Sequence, residues 1–149
     1  MPNYSTHAQA GAVVGALAAV YRARSAPTDQ MIAETVGGLL GGWVGGVLPD
    51  VLEPARDPNH RKLAHSVAAG SALTLARIAE WQASCRTAAD AATSRSLLHP
   101  LGSTERSSAE WDAFFWRLLA GALVGLVAGY ASHLALDAGT PRGLPLLGA

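Results

Sequence analysis

The stretch Met31–Asp50, "MIAETVGGLLGGWVGGVLPD", decides the fold. Gly37, Gly41 and Gly45 recur every four residues, and so do Gly38, Gly42 and Gly46. Residues four apart share one face of a helix. A glycine inside a helix costs about 1 kcal/mol relative to alanine. Two glycine rows on one helix therefore need compensation, and close approach by a neighbouring backbone supplies it. This is the small-xxx-small packing found within membranes. The spacing returns at Gly121, Gly125 and Gly129, and Gly11 and Gly15 begin it near the start of the chain.

Working outward, four apolar segments emerge: Ala8–Tyr21, Met31–Leu48, a more amphipathic run from about Pro58 to Arg86, and Trp111–Ala138. Their length and Ala/Leu content read as helix, and strand-forming residues are sparse. Asp57 and Pro58 suit the N-cap and first position of the third helix. Pro49 and Pro54 flank the loop before it. The stretch of about 87–108 is rich in Ser, Thr and small residues and reads as a loop, with room for a short helix through Ala88–Leu98. The last helix stops near Gly139, where "GTPRGLPLLGA" follows. The expected architecture is all-α. It is one domain over 1–149, a compact bundle of four main Ala/Gly-rich helices, embedded in or bound to a membrane. A tightly packed soluble bundle is the alternative.

Composition agrees with that class. Half of the 149 residues are hydrophobic and 15% are charged, against about 25% in an average soluble domain. The net charge of zero gives no field favouring nucleic acid. No secretory signal is evident, because Arg22 and Arg24 follow the first apolar run instead of preceding it. Cys85 is the single cysteine, so an internal disulfide and a Cys-rich zinc site are excluded, and it reads as a small apolar residue.

The polar residues beside these segments are the functional candidates. His133 and Asp137 stand one helical turn apart and project from one face. An imidazole and a carboxylate so placed suit one metal ion, although Asp137 also suits a cap within "DAGT". Asp50 closes the glycine-rich helix, His60 and His65 open the third, and His7 precedes the first. His99 reads as a solvated loop residue. Antiparallel packing of the first two helices, with the fourth ending beside the second, brings His7, Asp50, His60, His65, His133 and Asp137 to one pole. Charged groups beside apolar helices persist when paired or bound to metal.

The stretches "VLPDVLEP" (47–54), "HRKLAHS" (60–66) and "GYASHLALDAGTPRGLPLL" (129–147), with Thr6-His7, resemble the YdjM-like family of bacterial inner-membrane proteins described as metal-dependent hydrolases. That family in turn looks similar to zinc-dependent phospholipase C and P1 nuclease. The resemblance implies that Asp50, His65, His133 and Asp137 hold one metal. It also implies that Asp137 bridges to a second metal shared with His7, and that a bridging water is the nucleophile. His60 would be a further ligand or a supporting donor. No His, Asp or Glu follows Asp137, so the additional histidines of those enzymes have no counterpart, and one or two zinc ions are implied. Leu52 stands where many family members carry a second acid.

The expected function is metal-dependent hydrolysis of a phosphoester, with a lipid head group the natural substrate at a membrane. Asp50 and Asp137 would serve the metals, and Arg61 would pair with phosphate. An ion pair between Arg61 and Asp50, Glu53 or Asp57 is the alternative for that residue. Ser66 and Thr140 would orient ligands or act as local caps. The rival reading is a non-catalytic scaffold with a structural metal, forming homo-oligomers through its Gly-xxx-Gly faces or binding a protein partner. A transporter is the third class.

Overall fold

Asn3 starts the first helix. Its Oδ1 accepts from the backbone N–H of Thr6 at 2.9 Å and from the hydroxyls of Ser5 and Thr6 at 2.7 and 2.9 Å. An N-cap of this kind satisfies donors that the first turn leaves without an intrahelical partner. The computed structural model describes residues 3–52 and 72–138. They form α1 (Tyr4–Ala23), α2 (Thr28–Leu52), α3 (Ala72–Ser96) and α4 (Thr104–Ala138), with no strand among the described residues.

The two glycine rows of α2 serve two different neighbours. A Cβ at Gly37, Gly41 or Gly45 would overlap the carbonyl oxygens of Leu118, Ala122 and Leu126 on α4. A Cβ at Gly38, Gly42 or Gly46 would strike α1 at Gly15, Ala19, Gly11 and His7. Pairings with α4 rise in step along both chains, so α2 and α4 are parallel. Pairings with α1 run in opposite senses, so α1 is antiparallel to both. The two outer helices also touch, since a Cβ on Gly15 would come 3.1 Å from the Gly125 Cα. The glycine faces expected to join separate copies are thus taken up inside one chain. Among the described residues each of these rows therefore serves packing within the chain.

The bundle is apolar on both sides. Its core is built of Gly and Ala, while Val13, Leu17, Leu40 and Trp43 are exposed. A soluble bundle would bury its large aliphatics and cover itself with charge. Glycine inside and leucine outside is the pattern of helices packed in lipid. Both α2 and α4 are long and apolar enough to cross a membrane.

Two local readings change. Helix α3 continues to Ser96 and α4 begins at Thr104, so the loop of about 87–108 shrinks to 97–103. The hydroxyls of Ser84, Thr87, Thr93 and Ser94 each donate to the carbonyl four residues back. In that arrangement they continue the helix instead of competing with it. Pro49 lies inside α2, which runs on to Leu52. Proline has no N–H, so the Gly45 carbonyl loses its usual donor and the helix is weakened there without ending. The proposed start of the third helix at Asp57–Pro58 lies outside the described residues.

Helix α3 packs against α4 and reaches the rest through long side chains. Glu34 of α2 is fully buried. Its carboxylate accepts from Arg86 of α3, with Nε to Oε1 at 3.1 Å and Nη2 to Oε2, and from Arg117 Nη1 of α4 at 2.9 Å. Arg117 Nη2 also pairs with Asp90, and Arg22 Nη2 donates to Gln82 Oε1 at 3.2 Å. These contacts tie four helices together at the pole where α2 begins.

Candidate metal centre

The opposite pole is built from the first turn of α1 and the last turns of α2 and α4. The cap at Asn3 fixes the start of α1, and His7 follows on its buried face with 3% exposure. The glycine rows then set how near α4 comes to α1 and α2. His133 is fully buried, Asp137 is 2% exposed, and the Asp50 side chain is about one-third exposed. The imidazoles of His7 and His133 stack with centroids 3.9 Å apart at 25°.

Nδ1 of His133 lies 2.7 Å from the Gly46 carbonyl oxygen. A carbonyl only accepts, so Nδ1 carries the proton and donates. In the neutral ring Nε2 then holds the lone pair. This is how metal-binding histidines are commonly oriented, with one nitrogen tied to a carbonyl and the other presented to the ion. Nε2 of His133 faces Asp50 Oδ1 at 3.8 Å and Asp137 Oδ2 at 3.7 Å. Asp137 Oδ1 faces His7 Nε2 at 3.5 Å.

These separations exceed those of N–H···O hydrogen bonds, which cluster near about 2.9 Å. They match the spacing of ligands around one ion. Two atoms each about 2.1 Å from a tetrahedral ion lie roughly 3.4 Å apart. Donor atoms of His7, Asp50 and His133 all fall within 4.8 Å of one another. Nδ1 of His7 is buried without a hydrogen-bond partner among the described residues.

The sequence-derived candidates divide into two groups. His7, Asp50, His133 and Asp137 stand together at one pole. His60, Arg61 and His65, with Ser66 and Thr140, lie outside the described residues. Cys85 is 6% exposed, and burial pushes its thiol pKa up, which disfavours the reactive thiolate. The sequence reading passed over the Glu34–Arg86–Arg117 cluster. Its signal was available, since Glu34 interrupts an apolar helix and Arg117 immediately precedes the uncharged run of α4.

A family model described as YdjM inner membrane protein matches residues 1–148. No curated protein and no solved structure gives a significant match. With its two membrane-length helices and its inverted distribution of apolar residues, the chain belongs to the YdjM inner membrane protein family.

Proposed function

We propose that this protein is a hydrolase of the bacterial inner membrane that uses one or two divalent metal ions, zinc above all, to cleave a phosphoester. The observation that carries the reading is the gathering of His7, Asp50, His133 and Asp137, with the His133 ring oriented by its Nδ1 hydrogen bond to the Gly46 carbonyl. The ligand types are those zinc accepts: neutral imidazole nitrogen and carboxylate oxygen. A bound ion would lower the pKa of a coordinated water from about 15.7 towards about 7 and so supply a nucleophile at neutral pH.

The protein's own groups would divide the work. His7 and His133 fix the cluster by stacking and burial. Asp137 turns one oxygen to each imidazole, which suits a carboxylate shared by two ions. Asp50 is the most exposed member and marks the side from which water and substrate would enter. His65 and His60 would complete the ligand set, and Arg61 would bind phosphate. The order Asp50, then His133-x3-Asp137, is similar to that in zinc-dependent phospholipase C and P1 nuclease, and it supports the phosphoester class. A head group at the lipid surface is the substrate that the location favours.

The burial of three of the four residues favours a second reading, in which the metal is structural and the protein serves as a scaffold for a protein partner. The test takes the purified chain in detergent through elemental analysis and then through a phosphodiester panel with and without chelator. One or two zinc-type ions per chain and chelator-sensitive cleavage are expected. Metal without cleavage would establish the structural reading, and absence of bound metal would defeat both.

A further inference from the structure

The pole of Glu34 holds a cavity of about 430 Å³ between the start of α2, the end of α3 and the start of α4. That volume lies within the range of small-molecule sites, roughly 300–1,000 Å³. Its wall carries both signs of charge, with Arg106 and Arg117 on α4, Asp29 on α2 and Glu110 on α4. Nε of Arg106 donates to Glu110 at 2.8 Å, and its Nη groups make no hydrogen bond among the described residues. Arg117 gives its Nη groups to Glu34 and Asp90 and its Nε is buried, so it adds positive charge to the wall without offering a donor. Asp29 is exposed and has no ion pair there. A second hollow of about 400 Å³ adjoins the first at Glu110 and Phe114 and is floored by Trp111.

The cavity sits where the polar start of α4 meets its apolar run. Trp111, Phe114, Phe115 and Trp116 are exposed at that level, and aromatic side chains of this kind gather at membrane–water interfaces. An occupant that fits combines an anionic group for the Arg106 Nη groups, a cationic group for Asp29 and an apolar body for the aromatic hollow. We propose that this cavity binds a zwitterionic phospholipid with a primary ammonium, its phosphate against Arg106 and its ammonium against Asp29. One acyl chain then lies along Trp111 and Phe114. A primary ammonium donates hydrogen bonds to Asp29, which a quaternary ammonium cannot. This site lies at the far end of the bundle from the His/Asp cluster and does not depend on the hydrolase reading.

Native mass spectrometry of the delipidated full chain, with phosphatidylethanolamine, phosphatidylcholine and phosphatidylglycerol at equal concentration, tests the proposal. Phosphatidylethanolamine is expected to be retained about tenfold over the other two, the effect of one charge-assisted hydrogen bond. Arg106→Gln and Asp29→Asn should each reduce that retention by a similar factor. Equal retention of the three lipids, preference for phosphatidylglycerol, no retention, or folded variants that retain lipid as before would overturn it. The ranking of head groups on the unaltered chain decides the matter even where a variant does not fold.

Discussion

The two poles of the bundle treat buried carboxylates in opposite ways. At roughly 1.5 Å per residue, Glu34 and Asp50 stand about 24 Å apart along α2, somewhat less than the hydrocarbon thickness of a bilayer, about 30 Å. Glu34 meets two guanidiniums, and Asp137 meets two imidazoles. Guanidinium is permanently charged and has no lone pair to offer, so the pairing at Glu34 is complete and static. Imidazole can shed its proton and present a nitrogen, so the same kind of carboxylate becomes part of a ligand set. Partner chemistry, and not burial, separates a clasp from a candidate reaction centre.

The largest expected effect comes from breaking what both poles share. Gly41→Val places atoms on the Ala122 carbonyl, where main chain cannot yield. Overpacking of side chains alone costs about 1–3 kcal/mol. Size-exclusion chromatography in detergent should show no folded, monodisperse protein. Glu34→Ala is next, because it leaves Arg86 and Arg117 without their buried counter-charge. A loss of about 3–5 kcal/mol in unfolding free energy is expected from breaking one side of such a pair, measured by denaturation in detergent.

At the other pole Asp137→Asn should behave differently. The metal-free protein should lose about 1 kcal/mol, the scale of one ordinary polar contact, while the rise in Tm on adding zinc disappears. A zinc-dependent rise that survives the substitution would remove Asp137 from the ligand set. Acid should also separate the poles. Imidazole ligates only when unprotonated, so retained metal should fall as pH drops below about 6, while the guanidiniums around Glu34 keep their charge. Stepwise dialysis followed by elemental analysis reads this directly. The smallest effect belongs to the exposed pair Arg95–Asp112 at 3.3 Å. Arg95→Ala should change stability by less than about 0.5 kcal/mol in the same denaturation assay.

How far the sequence revealed each pole follows from the range of the forces involved. The glycine rows are a local, periodic signal, and they marked the faces on which backbones come close, but not which helix each row meets. Helix polarity then carried His7, Asp50, His133 and Asp137 to one end without any knowledge of side-chain contacts. The Glu34 clasp was not legible in the same way, since its partners lie 52 and 83 residues away in sequence and no spacing rule links them. The end of α3 was missed for another reason. Ser and Thr are read as loop formers unless their hydroxyls return to the helix, and that depends on rotamers the sequence does not record.

The Gly46 carbonyl that accepts the His133 Nδ1 hydrogen bond belongs to the main chain, so exchanging side chains cannot delete it. Mutation can change only the separation between the two helices that carry donor and acceptor. A methyl group added at Gly45 or Gly129, where each faces the backbone of the other helix, would therefore act on a ring it never touches. It would loosen the tether that selects the ring's tautomer. Inherited variation in the bland apolar wall would then surface as a change in acid–base behaviour within the buried cluster.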